Sequence, residues 1–190
     1  MSAVIESPQR YSVTVDEFVR MAEAGVFGPE SRLELIEGEI IAMAPIGSRH
    51  AGAVKSLIIL FAPITPARVI ISVQDPAALG ERSMPQPDVA LLKPRTDRYA
   101  RSHPTPNDIL LVIEVADTSL QYDLGTKVPL YARYGIIETW VFDTEERSVR
   151  VHRDPSSTGY RTTFTVAGDG EVAPLALPDF PVALRAVFPA

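Results

Sequence analysis

The sequence predicts an α/β domain with a central mixed sheet, helices on the faces of that sheet and β-rich segments at either end. Three observations favour this fold. The middle of the chain reads in the order helix, strand, strand, strand, helix, strand. The three consecutive strands are almost entirely apolar, which is typical of strands covered on both faces. The segment after Arg147 alternates between apolar and polar residues, as β-strands do.

A length of 190 residues is most simply one domain. We divide it into a loose N-terminal arm over 1–10, a helix plus hairpin over 11–46, a core over 47–146, and a C-terminal β extension over 147–190.

The first elements have clear boundaries. Thr14 and Glu17 have the spacing of a capping box, and Gly25 is a plausible stop, so a short amphipathic helix is predicted over 15–24. The stretch "RLELIEGEIIAMAP" predicts a hairpin, because two mostly apolar runs flank a turn in which Gly38 supplies a positive φ.

The core follows. Ser48 is a candidate cap for a helix in "SRHAGAVKSLIILFAPI". Strands are then predicted in "ARVIISVQ", "DVALLK" and "ILLVIEVAD", with a polar loop over 94–107 between the last two. A helix is predicted around Leu124–Tyr134, ended by Gly135 and followed by a strand in "TWVFDTEE". In the tail, "SVRVHR" and "YRTTFTV" predict two further strands, and "PDFPVALRAVF" a short helix or a docking strand.

Composition excludes several classes of protein. The chain has no cysteine, so disulfides and thiolate chemistry are excluded. No apolar run reaches the roughly 18 residues of a membrane span, and the start "MSAVIESPQR" lacks the features of a secretory signal, so we expect a cytoplasmic protein without membrane contact. A net charge of −6 argues against binding nucleic acid through global charge, but not against a nuclease with a local basic patch.

The strand "ILLVIEVAD" contains a carboxylate, Glu114, among apolar residues. A buried carboxylate costs several kcal/mol unless it is paired, hydrogen-bonded or bound to a metal. Asp88 opens the preceding strand, and because sequential strands commonly pair, the two carboxylates could face each other at one end of the sheet. A divalent metal with oxygen ligands, Mg²⁺ or Mn²⁺, would relieve their repulsion.

Lys127 is the third member of this group, because it lies early in the helix that follows the Glu114 strand. A helix that returns over the sheet can aim Lys127 at the same strand end, where it could orient a water molecule and stabilise developing charge. Asp123, at the helix start, is interpreted as complementing the helix dipole.

The ordered motifs "RLELIEGEIIAMAP", "QPDVALL", "LLVIEVAD", "YDLGTK" and "YARYGIIETWVFD" resemble the Uma2-type family of endonucleases, which is similar to the PD-(D/E)XK nuclease superfamily. The resemblance runs from about Tyr11 to Arg153. It implies a restriction-endonuclease-like core and metal-dependent phosphodiester hydrolysis, with Asp88 and Glu114 as catalytic metal ligands. Ala116 stands where the superfamily has a lysine, and the resemblance implies that Lys127, on the following helix, takes that role.

Three further residues are candidates. The family resemblance makes the hairpin a source of an extra catalytic carboxylate, and Glu34, between two leucines, is preferred to Glu39 at the turn. His50, near a helix start, could contact a phosphate or help a proton transfer.

The loop after the Asp88 strand has a local excess of positive charge. It carries Lys93, Arg95, Arg98 and Arg101. It is interpreted either as a solvated loop or as a phosphate clamp beside the metal site.

The favoured function is therefore a Mg²⁺- or Mn²⁺-dependent endonuclease acting on nucleic acid, with DNA implied by resemblance only. The resemblance also implies a homodimer, because many nucleases of this superfamily act as dimers and cutting two strands suits two-fold symmetry. Structural alternatives stay open: Asp88 could cap a strand entry, Glu114 could form a core ion pair, and Lys127 could be a solvated charge. At the level of function, the alternatives are a catalytically silent binding or regulatory protein on the same fold, and a hydrolase of smaller phosphoesters.

Overall fold

A short helix opens the part of the chain that the computed structural model describes, residues 10–188. Helix α1 spans Val15–Glu23, which confirms the predicted helix to within one residue. The predicted capping box is present: the Thr14 hydroxyl accepts the Glu17 N–H at 3.2 Å, and the Glu17 carboxylate accepts the Thr14 N–H at 2.9 Å. Residues 1–9, most of the predicted N-terminal arm, lie outside the described part.

The predicted hairpin follows. Strands β1 (Leu33–Ile36) and β2 (Glu39–Ala42) are antiparallel. Both turn residues are left-handed, with φ of 50° at Glu37 and 84° at Gly38, as a type I′ turn requires. A Cβ at Gly38 would overlap the side chain of Ser12, so only glycine fits this turn. Two hydrogen bonds between the backbones of Leu35 and Met84 attach the hairpin to the segment before the second strand of the central sheet.

A mixed sheet of six strands forms the centre of the protein, and the strands lie in chain order across it. Only the third and fourth strands are parallel to each other, and the other neighbours are antiparallel. The strands are β3 (Ile70–Ser72), β4 (Val89–Leu92), β5 (Ile109–Ala116), β6 (Glu138–Asp143), β7 (Ser148–Ser156) and β8 (Gly159–Ala167).

Both faces of this sheet are covered, which is why β4 and β6 are buried throughout and β5 at every residue but one. Helix α2 (Ser48–Phe61) covers one face, where Leu57 and Phe61 join the cluster that contains Ile113 of β5. Its N-cap is Gly47 and not the predicted Ser48, so no side chain caps it. A 3₁₀ turn, Ala62–Ile64, follows α2, and another, Pro106–Asp108, precedes β5.

A helical segment between β5 and β6 covers the other face. It consists of α3 (Leu120–Tyr122), a π-helical turn (Asp123–Lys127) and α4 (Val128–Arg133). The segment therefore begins a turn earlier than the predicted start near Leu124. Leu130 and Tyr131 pack against Ala90 of β4 and Val112 of β5, so α4 lies over the face on which Glu114 also stands.

The C-terminal segment forms both a short strand and a short helix, the two alternatives that its sequence left open. A two-residue ladder pairs β9 (Glu171–Val172) with β10 (Val182–Ala183), and α5 (Leu184–Val187) follows directly. Leu184 and Val187 join the α2 side of the core. The α/β class and the core order of helix, three strands, helix and strand are thus confirmed. No helix among residues 10–188 combines the length and apolar character needed to cross a membrane.

Candidate active site

Asp88 and Glu114 lie side by side where β4 begins and β5 ends. The antiparallel register pairs Val89 with Ile113, and its continuation by one residue places Asp88 opposite Glu114. Residues opposite each other share a face of the sheet, with Cβ atoms about 4.5–5.5 Å apart. Asp88 Oδ2 also accepts the backbone N–H of Val115 at 2.9 Å. The structure therefore brings together the two carboxylates that the sequence singled out, whereas their catalytic roles stay a prediction.

Glu114 is paired, which explains how an apolar strand tolerates it. Its side chain is 2% exposed. Oε1 lies 2.9 Å from the Lys127 ammonium and accepts the Tyr131 hydroxyl at 2.5 Å. Burial raises the pKa of Glu114 to about 8, and the Lys127 charge opposes that rise without cancelling it. The carboxylate form is thus under-stabilised here, and a further positive charge would favour it.

Lys127 projects from the π-helical turn onto the same strand end. It is 3% exposed, and its Nζ lies 2.9 Å from Glu114 Oε1 and 3.4 Å from Glu34 Oε2. Burial alone would lower the pKa of Lys127, but the charges of Glu114, Glu34 and Asp123 outweigh burial and raise it, so Lys127 stays protonated. The helix therefore directs Lys127 inwards, as the sequence predicted, and the alternative of a solvated lysine is wrong.

The hairpin supplies Glu34 and not Glu39. Glu34 is 3% exposed, and its Oε2 accepts the backbone N–H of Gln86 at 3.1 Å. Glu39 is exposed, and it lies 3.3 Å from Arg10. The preference for Glu34 as the residue near the other carboxylates agrees with this placement.

His50 reaches the site from the first turn of α2. Its Nε2 lies 2.9 Å from Asp88 Oδ1, although this nitrogen makes no hydrogen bond of normal geometry. Gln74 Nε2 donates to the same oxygen at 3.2 Å. The contact with Asp88 raises the pKa of His50. Burial would raise the pKa of Asp88, but the His50 contact and the Val115 N–H together outweigh it and lower that pKa.

Asp123 is a site residue that the sequence interpretation missed. It was expected only to complement the helix dipole, but it is buried and accepts the Ser119 hydroxyl at 2.6 Å. Burial raises its pKa, which the charge of Lys127 opposes. The signal was available in "YDLGTK": Asp123 precedes Lys127 by four residues, a spacing that puts two helical side chains on one face.

One cavity of about 430 Å³ is lined by six of the residues described above: Glu34, His50, Asp88, Glu114, Asp123 and Lys127. Five acidic side chains border it, against two permanently charged cations, so the lining carries an excess of three negative charges when all five are ionised and His50 is neutral. The acidic residues are Glu34, Asp88, Glu114, Asp117 and Asp123, and the cations are Arg32 and Lys127.

The chemistry of this lining fits a divalent metal. Carboxylate oxygens are hard donors of the kind that Mg²⁺ and Mn²⁺ prefer, and the charge excess favours a cation. The buried Tyr122 hydroxyl, which belongs to the lining, has no hydrogen-bond partner among the described residues, as is common beside a site that binds an ion, a water or a substrate. Within residues 10–188 no group of three or more His, Asp or Glu is arranged to hold a metal. Lys127 instead bridges Glu34 and Glu114.

The basic loop lies at the wrong end of β4 for a clamp beside this site. Asp88 precedes β4, whereas Lys93, Arg95, Arg98 and Arg101 follow it. At about 3.3 Å per strand residue, Lys93 is on the order of 16 Å from Asp88. None of the four lines the cavity, and Arg95 is paired with Asp97 at 2.5 Å. Of the two interpretations, the clamp beside the metal candidates is therefore wrong, because the loop connects the far ends of β4 and β5.

Comparison with solved structures identifies the fold. A crystal structure from Anabaena variabilis, described as a putative nuclease belonging to DUF820, superposes with a TM-score of 0.72 at 19% sequence identity. The match covers 93% of this chain and 97% of that one. A search of curated proteins finds no match.

A comparison with family models agrees with this neighbour. The Uma2 model, described as "Putative restriction endonuclease", matches residues 15–185. This span includes all the elements from α1 to β10 and every residue of the candidate site. The matched span is most of the chain, so the chain belongs to the Uma2 family.

Proposed function

We propose that this chain is an endonuclease that hydrolyses phosphodiester bonds in DNA and depends on Mg²⁺ or Mn²⁺. One observation carries the proposal: Asp88, Glu114, Glu34 and Lys127 come from distant parts of the sequence and line the same acidic cavity. A buried cluster of like charges is costly, and functional sites are where such a cost is retained.

Asp88 and Glu114 are the residues that would hold the metal, with Glu34 as an additional carboxylate. When bound, a divalent ion supplies Lewis-acid charge to a phosphoryl oxygen and acidifies a coordinated water. The chain fixes Asp88 beforehand through the Val115 N–H and Gln74. This fixed orientation limits the loss of side-chain entropy when a ligand binds.

Lys127 would stabilise the negative charge that develops on the phosphate during hydrolysis. An ammonium in a site shielded from water acts more strongly than one in solvent, because little water competes for the charge. His50, held against Asp88, is proposed to contact the substrate from the rim formed by the start of α2. A homodimer and a cytoplasmic location remain predictions from the sequence.

Metal dependence can be tested without relying on activity. Thermal unfolding should be followed in EDTA, in Mg²⁺ and in Mn²⁺. A metal at 100 times its dissociation constant stabilises the folded state by about 2.7 kcal/mol, so the wild-type protein should melt at a higher temperature with either ion. Asp88→Asn should abolish the gain, and Asp169→Asn, an exposed carboxylate elsewhere, should retain it.

Substrate class is tested by comparing plasmid DNA, single-stranded DNA and a small phosphodiester. The proposal expects metal-dependent cleavage of DNA that is lost in Asp88→Asn and Glu114→Gln. Cleavage of the small ester alone would favour a hydrolase of another substrate class. No cleavage and no metal-induced stabilisation would favour a silent protein on a nuclease fold and overturn the proposal.

A further inference from the structure

Arg32 is a cation at the site that no carboxylate among the described residues pairs with. Its side chain lines the cavity together with five acidic side chains. Among the described residues, however, none of these carboxylates lies within 4 Å of its guanidinium. Within residues 10–188 this side chain makes one hydrogen bond, from Nη1 to the carbonyl of Ala44 at 3.1 Å.

The backbone fixes the direction of Arg32. The Met43 N–H donates to the Arg32 carbonyl at 2.9 Å, so the β1–β2 ladder continues one residue beyond its formal end. Residues two apart in a strand share a face, which places Arg32 on the face of Glu34, towards the site. The Ala44 carbonyl then holds the guanidinium in place from the opposite strand.

An anionic substrate needs such a group. The cavity lining is negative overall, so a phosphodiester that enters it requires donors of positive charge besides the metal. Lys127 is already shared between Glu114 and Glu34. Arginine presents five N–H donors in a planar fork that matches two phosphate oxygens, and most of the Arg32 donors have no partner in the part of the chain that the structure describes.

We infer that Arg32 binds the backbone phosphate of the nucleic acid at this site, with its guanidinium donating to two non-bridging oxygens. This inference rests on the proposed nuclease function and adds a substrate-contacting residue to it. It also relocates the phosphate contact from the loop over 93–101 to the start of the hairpin. Arg49, the other arginine near the cavity, is already paired with Asp117 at 3.0 Å.

The test is the binding of fluorescently labelled duplex DNA in EDTA, followed by anisotropy over a series of salt concentrations. Arg32→Gln should weaken binding by about tenfold, and it should lower the slope of log K against log salt by about 0.9, the value for one phosphate contact. Arg32→Lys keeps the charge but loses the fork, so its salt slope should match the wild type while its affinity falls. Arg161→Gln, an exposed arginine on β8, is the control for net charge and should bind like the wild type.

Cleavage kinetics give a second readout. Arg32→Lys should raise KM more than it lowers kcat, because the contact forms with bound substrate as well as in the transition state. Wild-type affinity and salt slope in Arg32→Gln, together with normal cleavage by the wild type, would overturn this inference and leave the nuclease proposal intact. A wild-type protein that neither binds nor cleaves nucleic acid would overturn both.

Discussion

Replacing Lys127 with methionine removes the ammonium that Glu114 and Glu34 share. The substitution keeps an unbranched side chain of similar length, so packing changes little while the charge is lost. Both carboxylates are almost completely buried, so water solvates them poorly once the ammonium is lost. The variant therefore isolates the electrostatic contribution of Lys127 to the folded state.

The expected effect is large. Above about pH 8, where Glu114 is ionised, removal of one partner from a buried ion pair costs about 3–5 kcal/mol, because the remaining charge is left buried and uncompensated. For a chain of this size, each kcal/mol lowers the melting temperature by about 2–4 °C, so a loss of roughly 6–20 °C is expected. Lys55→Met, which changes an exposed lysine on α2, should lower it by no more than about 2 °C, in line with the small effect of surface substitutions.

The stability of the fold should also depend on pH, in a direction that is set by the raised pKa of Glu114. Its folded pKa is raised to about 8 from an ordinary value of 4.5, so between these values the folded state holds a proton that the unfolded state has released. Stability therefore falls as pH rises through this window. Without Lys127 the pKa of Glu114 rises further, so the fall should continue above pH 8.

Urea unfolding in EDTA, at several pH values between 5 and 9, measures both the loss of stability in Lys127→Met and the direction in which stability changes with pH. The double variant Glu114→Gln/Lys127→Met should recover part of the loss, because one of the two orphaned carboxylates is gone. A loss in Lys127→Met no larger than that in Lys55→Met would refute the reasoning, because it would mean that the ammonium is not held between buried carboxylates.

Three other predictions follow from the structure. Burial lowers the pKa of His152 to about 4, so the fold should lose stability as pH falls from about 6.5 to 4. His152→Gln should flatten that part of the plot of urea midpoint against pH, and an unchanged plot would contradict this prediction. Gly38→Ala should lower the free energy of unfolding in urea by about 1–3 kcal/mol, because Gly38 has a positive φ and lies against the side chain of Ser12. Gly125→Ala is the control and should cause no such loss, because a Cβ at Gly125 would meet open space. The double variant Arg98→Gln/Arg101→Gln should keep the full metal-induced rise in melting temperature, since the loop lies at the far end of β4; loss of that rise would place the loop at the site.

The order of elements was predictable because local signals specify it. The capping box at Thr14 and Glu17, the turn at Gly38 and the apolar strand that contains Glu114 each act within a few residues. The meeting of Asp88 and Glu114 was also predictable, because consecutive antiparallel strands bring the start of one beside the end of the other.

Other parts of the site depend on longer-range geometry. The four-residue spacing of Asp123 and Lys127 signals a shared helical face, but the helical pattern does not reveal the π-helical turn that buries both side chains in the cavity. The basic loop over 93–101 looked close to Asp88 in sequence, but a strand of four residues separates them. Arg32 gave no signal in the sequence, because its importance lies in the absence of a nearby carboxylate.

The most direct test of the central claim is a crystal of the wild-type protein soaked in Mn²⁺, with anomalous diffraction to locate the ion. The account predicts a peak between the carboxylates of Asp88 and Glu114, at about 2.0–2.2 Å from an oxygen of each, as small divalent ions require. Well-measured data without a peak in this cavity, or with the ion bound away from these two residues, would contradict it.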